Sequence, residues 1–141
     1  MSVFKRFDHV SIGVKDWEKA RTLFLDVLGG EELPDKGSSS EGFDWFTFKL
    51  GGKKMEVVHS TREDSGVGRY VEKYGEGFHH ISIAVNDLKE AIAYFESKNV
   101  RVIGVNFDSE SFKHCYLHPK DTFGAMIQVF EESERTKADA G

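Results

Sequence analysis

Two stretches of the chain can be laid over one another without a gap. Residues 7–20 read FDHVSIGVKDWEKA and residues 78–91 read FHHISIAVNDLKEA, at a constant offset of 71. Phe7 meets Phe78, His9 meets His80, Ser11 meets Ser82, Ile12 meets Ile83 and Val14 meets Val85. Asp16, Ala20 and Phe24 likewise meet Asp87, Ala91 and Phe95. So many identities at one spacing mark an internal duplication, and this constrains the fold more than any local propensity: one supersecondary unit is built twice.

Each copy opens on a strand. Val10, Ile12 and Val14 alternate with His9, Ser11 and Gly13, the period of two that gives a strand unlike faces. The aliphatic set is expected to face a helix, leaving the histidine and its small neighbours on the other side. Asp16 and Asp87 stand where a carboxylate can accept the free N–H groups of a helix start. The first helix is expected to reach about Leu28, with Ala20, Leu23, Phe24, Val27 and Leu28 as its buried stripe and Gly29–Gly30 as its end. The second is expected to reach about Lys98, burying Leu88, Ala91, Ile92 and Phe95.

Three shorter strands complete each copy, near 31–34, 43–50 and 53–59 in the first and near 100–105, 113–118 and 124–131 in the second. Gly51–Gly52 marks a hairpin. The fold class that follows is α+β: two tandem βαβββ modules with pseudo-twofold symmetry, their sheets forming a concave, metal-binding cleft. The chain, 1–141, is expected to be one domain, with modules at about 5–60 and 77–131 and a linking helix at about 64–75. The stretch 35–42, DKGSSSEG, is expected to be a flexible loop, either an active-site flap or a plain linker, and 132–141 a polar, frayed tail.

Composition narrows the function classes. A chain of 141 residues can bury about two-thirds of its unfolded surface without a staple. The single cysteine, Cys115, allows neither an intrachain disulfide nor a multi-cysteine zinc site. A net charge of −5 argues against nucleic acid or an anionic membrane as partner. The N-terminus does not read as a signal peptide, and no apolar run reaches the length of a membrane span. The expectation is a cytoplasmic protein that acts on a small molecule.

A lone histidine on a strand is usually not a ligand, but two at equivalent places in two modules are different. If the modules pack about a pseudo-twofold axis, His9 and His80 converge. The last strands align as Met55-Glu56-Val57 and Ile127-Gln128-Val129, at an offset of 72. Each polar residue lies between apolar neighbours, so it faces away from them, and a buried carboxylate needs a partner such as a cation. The candidate metal ligands are therefore His9, Glu56, His80 and Gln128. Two imidazoles, a carboxylate and an amide oxygen suit one divalent ion, Co²⁺, Mn²⁺, Ni²⁺, Fe²⁺ or Zn²⁺. Such an ion acts as a Lewis acid. His59, His79, His114 and His118 are weaker candidates; His79 alternates with His80 and should point to the opposite face. Cys115 reads as structural.

The duplication with one histidine on each first strand resembles the vicinal oxygen chelate (glyoxalase/bleomycin resistance/dioxygenase) superfamily, and methylmalonyl-CoA epimerases within it. Residues 64–85, DSGVGRYVEKYGEGFHHISIAV, are similar to that family's DSPIAxFLEKxGEGxHHIxxxV. Residues 116–129, YLHPKDTFGAMIQV, resemble its FLHPK…GVLIEL, and KMEVVHS at 54–60 resembles its ELLHP strand. The resemblance implies a metal-dependent isomerase that epimerises a CoA thioester by C2 proton abstraction, with a metal-stabilised enolate. It also implies a homodimer. His9 and His80 match the family's histidine ligands, and Glu56, also the candidate catalytic group, matches its Gln or Glu ligand. Gln128 stands where the family has Glu, and Trp45 where some members carry an acid/base Glu. Trp45, His118 and Lys120 are the candidate substrate contacts. A glyoxalase-I-like lactoylglutathione lyase and a non-catalytic small-molecule-binding protein are the alternative functions. An amide is no base at neutral pH, so Gln128 argues against a lyase or a ring-cleaving dioxygenase that uses a carboxylate there.

Overall fold

The structure is a computed structural model describing residues 3–138. Its elements repeat as the duplication requires. The first module comprises β1 (Phe4–Val14), α1 (Trp17–Arg21), β2 (Glu31–Ser39), β3 (Phe43–Leu50) and β4 (Lys53–Ser60). After α2 (Gly66–Tyr74) the second comprises β5 (Gly77–Val85), α3 (Leu88–Ser97), β6 (Val102–Asn106), β7 (His114–Leu117) and β8 (Ile127–Glu131). A final helix, α4, spans Glu134–Ala138. Both modules use one topology. The first orders its strands β2-β3-β4-β1 and the second β6-β7-β8-β5. In each, the first strand runs parallel to the last, and the remaining pairs are antiparallel.

The described residues form two compact units, His9–His79 and the remainder, 3–8 with 80–138. In the first, Phe46, Phe48 and Val57 pack with Ala20, Val14, Trp17, Phe24 and Leu25. On the other face of that sheet α2 brings Val67 and Val71 against Val58, Phe43 and Trp45. The linking helix thus covers part of the face that carries Gly13, where an added Cβ would meet Val71 at 3.0 Å. In the second unit Val85, Leu88, Ala91, Cys115 and Val129 form the core, with Ile92 and Phe95 packed against it. The repeat identities therefore occupy equivalent positions: Ala20 and Ala91 are buried, and Phe24 and Phe95 close their respective cores. Asp16 accepts from the Lys19 amide at 3.0 Å and Asp87 from the Glu90 amide at 2.9 Å, both as helix N-caps.

Three expectations are corrected. The first helix does not stay α to Leu28: Thr22–Val27 is π-helical, and the Leu28 amide bonds the Leu23 carbonyl five residues back at 2.9 Å. A wider turn slides the buried stripe, so Phe24 and Leu25 point inward while Leu23, Val27 and Leu28 are exposed. The stretch 35–42 is mostly strand, because β2 continues to Ser39 beside β3. Its polar, flexible composition is overridden by a partner strand: Thr47 Oγ1 donates to the Asp35 carbonyl at 2.6 Å and Trp45 Nε1 to Asp35 Oδ1 at 3.0 Å. The tail is anchored as far as it is described, since Arg6 Nη2 donates to Glu132 Oε1 at 2.5 Å and Ser133 begins α4 by accepting from the Thr136 amide. Residues 139–141 of that tail lie outside the described residues.

Candidate metal centre

One set of candidate ligands lies within the unit His9–His79. His9 and Ser11 share a face of β1 by alternation and are 6% and 0% exposed. The parallel register sets Ser11 opposite Glu56 on β4. The Ser11 hydroxyl donates to Glu56 Oε1 at 2.9 Å, and His9 Nε2 lies 3.5 Å from the same oxygen. A buried imidazole nitrogen beside a carboxylate oxygen held by a hydroxyl is a donor set that fits a borderline divalent cation.

The other unit carries a second arrangement of the same kind. His80 and Ser82 share a face of β5, and both are buried. Ser82 stands opposite Gln128 on β8, as Ser11 stands opposite Glu56. The Ser82 hydroxyl donates to Gln128 Oε1, and Gln128 Nε2 donates to Tyr116 Oη at 3.2 Å. The offset of 72 between Glu56 and Gln128 against 71 between Ser11 and Ser82 is thus absorbed between the strands, and both pairs keep one register.

The remaining candidates have other surroundings. His79 packs on Tyr70 of α2, ring centroids 4.4 Å apart, beside Gly13 of β1. Burial pushes its pKa down to about 4, against an opposing pull from the Glu56 charge. His59 is across the sheet, 5.7 Å from the Trp17 ring. His114 packs on Phe112. Cys115 is fully buried, and burial pushes its thiol up to about 12, so it is structural. Trp45 lies over Gly37 with its indole N–H on Asp35. His118 caps the turn Pro119–Asp121, its Nδ1 accepting from the Lys120 amide at 3.1 Å, and Lys120 is exposed. Sequence reasoning assigned no role to three hydroxyls. Ser11 and Ser82 were legible as identities of the repeat, whereas Tyr116 carried no signal before the pairing of β7 with β8 was fixed.

This duplicated βαβββ architecture, with a histidine on each first strand, is that of the vicinal oxygen chelate fold. The Glyoxalase/Bleomycin resistance protein/Dioxygenase superfamily matches residues 8–116, and the chain belongs to that superfamily. Its similar relatives include epimerases. The mitochondrial methylmalonyl-CoA epimerase of Homo sapiens is 29% identical over 127 residues, which cover 88% of this chain and 72% of that protein. The ethylmalonyl-CoA/methylmalonyl-CoA epimerase of Cereibacter sphaeroides is 28% identical over 128 residues, 88% of this chain and 96% of the relative. A solved structure of a Streptomyces coelicolor methylmalonyl-CoA epimerase variant in complex with 2-nitronate-propionyl-CoA superposes with a TM-score of 0.81 at 26% identity, covering 93% of this chain and 96% of that one. These relatives support an epimerase-like function in general.

Proposed function

We propose that this protein is a metal-dependent epimerase of a CoA thioester of the methylmalonyl-CoA kind. Its two halves, as parts of one domain, contribute His9, Glu56, His80 and Gln128 to a single divalent ion. The observation that carries this reading is the repeated hydroxyl–ligand pair, Ser11 with Glu56 and Ser82 with Gln128, each beside a strand that presents a buried histidine. An orienting hydroxyl at both places is what metal ligation needs and what two solvated polar faces would not.

When bound, the ion supplies Lewis acidity toward carbonyl oxygens of a substrate. The chain's own residues supply the rest. Glu56 is the one carboxylate of the set and the group of this reading that accepts or returns a proton, with Ser11 donating to its Oε1. Gln128 stays neutral and cannot do so. Trp45, His118 and Lys120 are the substrate contacts of this reading, Lys120 as an exposed cation suited to a phosphate of the CoA portion.

The test begins with the purified protein, its bound metal measured. It is then incubated with one C2 epimer of methylmalonyl-CoA in D₂O with Co²⁺. Deuterium at C2 together with the opposite epimer is the expected result. Absence of both overturns the epimerase reading. Tight binding of the thioester without exchange would point instead to a binding protein, the alternative that the amide at position 128 favours.

A further inference from the structure

Gln128 sits between two hydroxyls. On one side Ser82, paired with it across β5 and β8, donates to Oε1. On the other side Tyr116, paired with it across β7 and β8, accepts from Nε2 at 3.2 Å. A carboxylate would make little use of such a clamp, because either oxygen can face a cation. An amide has two unlike ends: one oxygen with two lone pairs and one NH₂ with none. A flip about the last side-chain bond would aim two N–H groups at the ion. In the clamped orientation one lone pair of Oε1 takes the Ser82 proton and the second is left for a cation.

The first module provides an internal control. Thr47 stands opposite Glu56 as Tyr116 stands opposite Gln128. Its hydroxyl is turned to the Asp35 carbonyl at 2.6 Å. The module whose candidate ligand is an amide thus has a second hydroxyl on that side chain, while the module with a carboxylate directs the equivalent hydroxyl into its own sheet. Tyr116, where the epimerase pattern has Phe, and Gln128, where it has Glu, are cross-strand partners.

We propose that Tyr116 is a positioning residue that enables Gln128 to act as a metal ligand, by holding the amide N–H and so fixing Oε1 toward the ion. This inference rests on the metal-site reading above.

Co²⁺ affinity is measured by titration for four proteins: wild type, Tyr116→Phe, Gln128→Glu and the double variant. Tyr116→Phe is expected to weaken Co²⁺ binding about tenfold when Gln128 is present, and to change it less than about twofold when Glu stands at 128. Equal losses in both backgrounds, or no loss in either, overturn the positioning role. A wild type that binds no metal overturns the metal-site reading itself, so the two failures are distinguishable. Far-UV circular dichroism checks that the variants fold. If Tyr116→Phe does not fold, the ¹⁵N-labelled wild type gives a second measurement: the Gln128 side-chain NH₂ is expected to exchange slowly with solvent, and fast exchange overturns the clamp.

Discussion

Ser11 and Ser82 are the smallest polar groups of the repeat, and each is fully buried and donates to the side chain opposite it, Glu56 or Gln128. A hydroxyl that donates to a ligand oxygen fixes the ligand's rotamer and leaves the remaining lone pairs for the ion, and loss of such a partner typically weakens a metal site by about 10–100-fold. Ser11→Ala is therefore expected to lower Co²⁺ affinity about tenfold with little change in the circular dichroism spectrum. Wild-type affinity in that variant, measured by calorimetric titration, would remove the orienting role of Ser11. At this scale the sequence made the histidines and their polar counterparts legible, because identity at a fixed offset does not depend on where the strands lie. It did not reveal Tyr116, whose importance comes from standing opposite Gln128 across two strands.

Among the elements, the first helix and its exit are where local periodicity failed. A stripe read at 3.6 residues per turn assumes an unbroken α-helix, and the π-helical turn Thr22–Val27 shifts the inward positions by one residue. The chain then leaves through Gly30, whose amide bonds the Phe24 carbonyl at 2.9 Å. A Cβ at Gly30 would stand 2.6 Å from that carbonyl oxygen and 2.8 Å from the Phe48 ring, in the core that Ala20, Phe24 and Val57 build. Gly30→Ala is expected to destabilise the protein by about 1–3 kcal/mol through overpacking. Gly30→Ala with the urea midpoint of wild type would mean that the helix exit yields without cost. The second helix kept its predicted length and its buried Leu88 and Ala91, because no wider turn interrupts it. Segment 35–42 shows the complementary failure, a stretch of weak strand formers made strand by hydrogen bonds from β3.

On the scale of the whole chain, its two ends are tied within one unit. Arg6 donates to Glu132 Oε2 at 3.2 Å and Oε1 at 2.5 Å, and it also pairs with Asp8. The hydrogen bonds from Arg6 hold the Glu132 carboxyl below its ordinary value of 4.5. A carboxylate whose folded pKa is depressed adds stability that is complete above its unfolded pKa and is lost as pH falls through the folded value. Glu132→Gln is thus expected to cost about 1–3 kcal/mol at pH 7, the worth of hydrogen bonds to a charged group. The gap to wild type in urea melts should shrink steadily below pH 4.5. A gap independent of pH would show that the ion pair contributes nothing. Among the described residues no helix is long and apolar enough to cross a membrane.

The duplication by itself determined the βαβββ modules, the N-caps Asp16 and Asp87, and the equivalence of His9 with His80 and of Glu56 with Gln128, because period and offset are properties of the chain alone. Only the tertiary structure decided the hydrogen bonds of those residues. Ser11 reaches Glu56 across 45 positions and Ser82 reaches Gln128 across 46, through parallel pairings between the first and last strands of a module. No local pattern encodes that register; it follows from packing the aliphatic face of each sheet on its helix, which leaves the opposite face one way to align its polar groups.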